Sequence, residues 1–162
     1  MEKILAEKEA NEYWIYYFST DKYTYDENKV GKWMYFFNRT KMDYVDAVCK
    51  EAIETGTIKS CKYTNFLSPE RNDIATGVAC FYLYIDDIEG HKKILNFFLT
   101  HKLIPKMKGG LLKNIPFKLD SQTKAGEYGP DFVAKLRLNN FINLKTGEWI
   151  ADDNFSIPTD SS

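Results

Sequence analysis

Two lysines lie inside runs of residues that are typical of strands. Lys62 stands in the segment 57–65 (TIKSCKYTN), and Lys118 stands in the segment 115–119 (IPFKL). Because a charged amine within a strand must face solvent, a partner or a ligand, each lysine is a candidate phosphate contact. The alternative is that both lysines simply line the solvated face of an antiparallel sheet.

The segment 120–129 (DSQTKAGEYG) is a second candidate for anion binding. It combines glycines with hydroxyl and amine side chains, so its backbone N–H groups and side-chain donors could form a cradle for an oxyanion. Thr123, Gly126 and Tyr128 are the expected ligand contacts. The segment lacks the fixed spacing of a P-loop, and an ordinary surface loop has the same composition.

A basic pair, Lys135 and Arg137, lies two residues apart on a further predicted strand, so both side chains project from one face. Arg137 is therefore a candidate phosphate contact. Ordinary alternation, with Leu136 and Leu138 pointing inward, explains the same pattern equally well.

Aromatic residues are dense in three predicted strands, which cover residues 13–18, 32–37 and 78–85. Half of each strand must face the core, and the other half could stack on a base, a contact worth about 1–3 kcal/mol. Trp33 is our first choice for such a stacking surface, and a core position is the alternative for it. Lys32 adjoins Trp33, but neighbouring residues on a strand face opposite ways.

The spacing of cysteines and histidines does not favour a metal site. His91 and His101 are ten positions apart with no cysteine beside either, and a structural zinc needs about four clustered ligands. The three cysteines are widely spaced, which indicates buried thiols in a reducing compartment. We therefore expect no metal and no cofactor.

The elements that must position these residues follow from periodicity. Two helices are predicted, one beginning near Thr40 and ending at Gly56, and one capped by Asp86 and Asp87 and ending before Pro105. The first eleven residues favour a short helix, 120–130 a loop, and 132–143 a strand that leads into a terminal hairpin. Strands in adjacent pairs with only two long helices predict an α+β protein. Its single, mostly antiparallel sheet would carry both main helices on one face.

Composition narrows the class of protein. The chain has 22 basic and 23 acidic side chains among 162 residues, so no strong nucleic-acid signal is present. It has no apolar run of about 20 residues, and its acidic, polar start differs from a signal peptide. We expect a cytoplasmic protein without membrane contact, with one domain over residues 1–155 and a disordered tail over 156–162. The Lys, Asn, Ile and Tyr usage is typical of an AT-rich genome, such as that of a low-GC bacterium or its phage.

Five segments occur in the same order as in a known family. They are YWIYY at 13–17, GKWMYF at 31–36, SCKYT at 60–64, VACFYLYI at 78–85, and FKLD at 117–120 followed by Thr123, Gly126 and Tyr128–Gly129. In these segments the chain resembles the basophilic-leukaemia-expressed protein-like family, over roughly residues 13 to 130.

The resemblance implies a fold similar to that of the cap-binding translation initiation factor. Its curved antiparallel sheet carries helices on the convex face and binds nucleotide on the concave one. Some members of the family carry a phosphothreonine lyase label, which implies phosphate chemistry.

The leading hypothesis is non-catalytic binding of a phosphate-bearing or nucleotide-like ligand on the concave face, which would let the protein sequester a nucleotide signal. Lys62 and Lys118 would supply charge. One alternative is a phosphate-ester enzyme resembling the lyase, with a lysine base whose pKa is lowered by burial and a second cation, and Tyr128 as proton donor. Another is a protein-interaction or inhibitor domain that uses exposed aromatics as anchors.

Overall fold

The structure is a computed structural model that describes residues 2–19, 25–125 and 133–151. Ten helices and strands are used below, in chain order. They are β1 (Ala6–Ala10), β2 (Trp14–Ser19), β3 (Val30–Asn38), α1 (Met42–Glu54), β4 (Ser60–Thr64), β5 (Thr76–Tyr84), α2 (Ile88–Thr100), β6 (Pro116–Leu119), α3 (Asp120–Lys124) and β7 (Leu136–Arg137).

The seven strands form one open sheet in the order β1-β2-β4-β5-β3-β6-β7. Each neighbouring pair is antiparallel. The longest ladder joins β3 to β5 over nine residue pairs, from Val30↔Tyr84 to Asn38↔Thr76. The predicted α+β class with a mostly antiparallel sheet is confirmed.

Both main helices lie on one face of this sheet, as predicted. A row of register partners crosses five strands on that face: Tyr17, Cys61, Phe81, Trp33 and Phe117. Helix α1 meets the β2 end of the row, and α2 packs along its middle, with the Phe98 ring 5.1 Å from that of Phe81. We call this side the helix-covered face and the other side the opposite face.

The predicted apolar stripes hold the helices against the sheet. In α1 the buried residues recur at three and four positions, and Gly56 ends the segment with a φ of 74° that a side chain would strain. In α2 the Asp87 side chain accepts from the Gly90 N–H at 3.0 Å, which confirms Asp87 as the cap. The cap of α1 differs from the prediction, because Asn38 accepts from the Thr40 N–H and starts a short 3₁₀ turn instead.

One polar cluster ties the first edge of the sheet to α1. The Asp46 carboxylate accepts hydrogen bonds from the Tyr63 hydroxyl at 2.6 Å and the Tyr17 hydroxyl at 2.9 Å. Lys8 Nζ lies 3.2 Å from the same carboxylate. Burial raises the pKa of Asp46, but these hydrogen bonds outweigh it, so the pKa lies below its ordinary value.

Three segments differ from the sequence-based expectation. The first segment forms strand β1 and not a helix, because its backbone pairs with β2 from Ala6↔Ser19 to Ala10↔Ile15. The predicted loop after Leu119 begins with helix α3. The predicted strand over 132–143 is only two residues long, in β7, before a 3₁₀ turn begins at Leu138.

The turn of the predicted terminal hairpin is confirmed, but its two sides pair through one isolated antiparallel bridge, Ile142↔Trp149, and not through two strands. The Asn143 N–H donates to the Glu148 carbonyl, and Gly147 adopts a positive φ of 76°. The predicted tail over 156–162 lies outside the described residues. Within the described ranges, every helix is too short or too polar to cross a membrane.

Candidate functional site

Three lysines converge on the opposite face of the sheet. Side chains alternate along each strand, so the neighbours of the core row, Lys32 on β3, Lys62 on β4 and Lys118 on β6, all point away from α1 and α2. Lys32 and Lys118 are direct register partners. We call these three residues the lysine cluster.

Like charges placed directly opposite each other across two strands are unfavourable, and the partners of Lys32 offset this repulsion. Lys32 Nζ donates to Asp120 Oδ1 at 2.8 Å and to Thr123 Oγ1 at 3.0 Å. Helix α3 begins directly after β6, which brings both acceptors to the end of the lysine side chain. Lys32 and Lys118 are only 7% and 6% exposed, so both charges are held within the protein surface.

Lys62 has a different environment. Its Nζ lies 3.9 Å from the centre of the Trp14 ring and 5.7 Å from that of Tyr82, which are cation–π contacts. Among the described residues, no carboxylate or other acceptor makes a hydrogen bond with this amine, which stays in contact with solvent. Burial lowers the pKa of Lys62, and the charges of Lys32 and Arg71 lower it further.

Aromatic rings and one further cation surround the Lys62 amine. The Arg71 guanidinium carbon lies 4.9 Å from the centre of the Trp14 ring. The Tyr82 ring lies between two lysines, because Lys32 Nζ is 5.9 Å from its centre. The site therefore combines cations with aromatic surfaces, while the formal net charge of the whole chain is only -1.

The structure brings together three of the residues that the sequence singled out. Lys62, Lys118 and Thr123 all lie at the opposite face, as the leading hypothesis requires. The hypothesis missed Lys32 as a member of the site. The sequence marks Lys32 in the same way as it marks Lys62, as a lysine inside a predicted strand.

The prediction that Trp33 forms a stacking surface is wrong. Its side chain is 0% exposed and lies on the helix-covered face, packed against Phe117 and His91. The alternative, a core position, is the one observed. Trp14 on β2 offers an aromatic ring at the site instead.

Arg137 and two loop residues complete the predicted set. Arg137 lies on β7, four strands away from Lys62, and its guanidinium donates to the Asn114 carbonyl at 3.2 Å. It is therefore not part of the lysine cluster. Gly126 and Tyr128 lie outside the described residues.

His91 does not serve this site as an acid. It is buried in the core, where Trp33 Nε1 donates to its Nδ1 at 3.0 Å and its Nε2 lies 2.8 Å from the Ile85 carbonyl oxygen. Because the indole N–H can only donate, Nδ1 accepts and Nε2 carries the proton. Burial lowers the pKa of His91 to about 4, so the ring is neutral at pH 7.

The thiols are buried and reduced. Cys49, Cys61 and Cys80 are all free, and burial raises the pKa of Cys80 to about 11. Cys80 is the register partner of Lys62, but a thiol with this pKa stays protonated at pH 7. Within the described part of the chain, histidine, cysteine and carboxylate side chains do not cluster in threes around a possible metal position.

Comparison with protein-family models and with curated proteins found no match to this chain. The family resemblance of the five segments stays a prediction.

Proposed function

We propose that the opposite face binds a phosphate-bearing or nucleotide-like ligand without reacting with it, and that the phosphate contacts Lys62. The observation that carries the proposal is the state of the Lys62 amine. It is half-buried, it is surrounded by rings and by other cations, and it forms no ion pair with the described residues. A half-buried charge that forms no ion pair costs stability, so such an amine is better explained by a ligand than by folding.

Charge balance supports an anionic ligand. Among the described residues nearby, Asp120 is bonded to Lys32, while Lys62 and Arg71 share the Trp14 ring. A phosphate group has enough acceptor oxygens to bond to several cations at once, and charge-assisted hydrogen bonds of this kind are strong.

The aromatic surroundings favour a ligand that also carries a ring. Trp14 and Tyr82 are half-buried on this face. Proteins that bind nucleotide bases without sequence preference stack the bases on aromatic side chains of this kind. A protein that binds a nucleotide and does not change it could hold a nucleotide signal out of circulation.

The test measures binding with and without the Lys62 charge. Inorganic phosphate, pyrophosphate, ribose 5-phosphate and nucleoside mono- and diphosphates are titrated into the wild-type chain and into Lys62→Met by calorimetry. We expect at least one probe to bind the wild type, and Lys62→Met to weaken it by about 10- to 150-fold, the value of a charged hydrogen bond. Affinity should also fall as salt rises.

Lys8→Met is the matched control. Lys8 also lies over a tyrosine ring, at 5.4 Å from the centre of Tyr17, but on the helix-covered face. The control should leave affinity unchanged. Equal loss in both variants, or no binding of any probe to a folded wild type, contradicts the proposal. A protein partner that uses the exposed Phe36 (62%) on the same face then becomes the better hypothesis.

The lowered pKa of Lys62 favours a second candidate, an enzyme that acts on phosphate esters. A lysine base at pH 7 needs burial and a nearby second cation, and Lys62 has both. His91 supplies no acid, because it is neutral and lies in the core on the other side of the sheet.

Mass spectrometry of the incubated ligand separates the two candidates. A binding protein returns every nucleotide and phosphopeptide unchanged. A lyase returns a phosphopeptide that has lost phosphate, and Lys62→Met then abolishes the loss. Unchanged ligands after long incubation exclude the second candidate for those ligands.

A further inference from the structure

A cavity of about 210 Å³ lies beside the lysine cluster, where two strands of the sheet separate. The register between β4 and β5 ends at Cys61↔Phe81, but β5 continues to Tyr84. The gap is lined by the end of β5, the segment between α1 and β4, the start of α2, and Tyr25.

The size of the cavity indicates what part of a ligand it can hold. Sites for whole drug-sized molecules measure about 300–1,000 Å³, so this one suits a single ring system. Three of its lining residues are aromatic. The Tyr25 ring lies 5.8 Å from Tyr84 and 6.5 Å from Tyr82, measured between ring centres.

The charges that line the cavity balance and do not select an anion. Asp87 and Glu89 line it together with Lys59 and Lys93, and the Asp87 carboxylate already caps α2 by accepting from the Gly90 N–H. An anion placed there would meet two carboxylates as well as two amines, whereas an uncharged ring with polar edges needs no excess of positive charge.

Tyr82 joins the cavity to the lysine cluster. Its ring lines the cavity and also lies 5.7 Å from Lys62 Nζ and 5.9 Å from Lys32 Nζ, measured to the ring centre. A ring in the cavity and a phosphate at Lys62 would thus be separated by one tyrosine.

We propose that this cavity is the base subsite for a nucleoside monophosphate whose phosphate is bound at Lys62. The inference rests on the proposed function and adds a ligand class and an orientation to it. The cavity takes the ring, Tyr82 lies beside the sugar, and the cluster takes the phosphate.

The test compares ligands that differ only in the ring. AMP, GMP, CMP and UMP are titrated against ribose 5-phosphate by calorimetry, with the full chain. At least one nucleotide should bind more tightly than ribose 5-phosphate by about 5- to 150-fold, the range expected for stacking of one base.

Two variants test whether the tighter binding of the nucleotide comes from the cavity. Thr57→Trp fills the cavity from a half-buried position, and Tyr25→Ala removes one of its rings. Each should remove most of the advantage of the nucleotide and change ribose 5-phosphate binding less than about twofold. Tyr44→Ala on α1, where the hydroxyl donates to the His101 carbonyl at 2.6 Å, is the matched control and should keep the advantage.

The outcomes distinguish the two proposals. Equal binding of ribose 5-phosphate and all four nucleotides overturns the base subsite and leaves the phosphate site at Lys62 intact. A nucleotide advantage that both variants retain also overturns the subsite. Failure of every phosphate probe, ribose 5-phosphate included, overturns the proposed function and this inference together. Should Thr57→Trp fail to fold, Tyr25→Ala alone decides.

Discussion

We expect His91 to make the stability of the protein fall as the pH drops from about 6.5 to about 4. Its Nδ1 accepts the indole N–H of Trp33, and its Nε2 donates to the Ile85 carbonyl. A proton added at Nδ1 would face that indole N–H and would place a charge in a core formed by rings such as Phe117 and Phe141. The folded state therefore disfavours protonation of the His91 ring, and the pKa of His91 is lowered.

The magnitude follows from the pKa of about 4 in the folded protein, against an ordinary value of about 6.5. The difference corresponds to about 3 kcal/mol in the free energy of unfolding. Between these two pH values the unfolded chain binds the extra proton and the folded chain does not. The contribution of His91 is thus complete above pH 6.5 and is lost as the pH falls to about 4.

The assay is urea unfolding followed by circular dichroism in half-unit steps from pH 7 to pH 4. The chain has two histidines, so His101→Gln serves as a matched control for His91→Gln. In the control, the free energy of unfolding should depend on pH as it does in the wild type. Between pH 6.5 and 4, His91 should contribute about 1.4 kcal/mol per pH unit to this dependence, in addition to the contribution of the carboxylates. His91→Gln should be less stable at pH 7 and lose the contribution of His91.

Two results would refute the reasoning. One is a His91→Gln variant whose stability falls between pH 6.5 and 4 as steeply as that of the wild type. The other is an imidazole resonance of His91 that titrates near pH 6.5 in the folded protein.

Two further predictions concern packing and charge. Asp46→Asn should lower the free energy of unfolding by about 1–2 kcal/mol at pH 7, because three donors lose an anionic acceptor. Thermal unfolding at several pH values should show this loss vanishing only as the pH falls below the ordinary carboxyl value of 3.8, because the pKa of Asp46 is lowered from that value. Gly31→Ala should cost about 1–3 kcal/mol in urea unfolding, since the new Cβ would lie 2.5 Å from a ring carbon of Phe117, while Gly109→Ala, with open space around it, should cost almost nothing.

The long elements were predictable from sequence because their periodicity follows from burial. Strand β5 and helix α2 carry enough apolar residues to specify their type, and Asp87 marks where the helix begins. Strand β1 was not predictable. Its residues, AEKEA, favour a helix locally, and they adopt a strand because β2 offers an unpaired edge.

The site was predictable only where a polar residue marks the face of a strand. Lys62 has Cys61 and Tyr63 on either side, both buried, so its orientation follows from alternation. In β3 the run GKWMYFF is apolar on both faces except for Lys32, so the sequence alone did not decide which aromatic residues are core. Reading Lys32 as the residue that marks the opposite face would have placed Trp33 in the core.

The order of the strands has a consequence for how the chain folds during synthesis. Strand β3 lies inside the sheet, but both of its neighbours, β5 and β6, follow it in the chain. The ribosome completes β5 about 46 residues after β3 ends, which takes about 2 to 9 seconds at roughly 5–20 residues per second. For that time nine residues with four aromatic rings have no strand to pair with. Nascent chains are thus most vulnerable to aggregation before Tyr84 emerges, and a chaperone that protects this segment should improve the yield of folded protein.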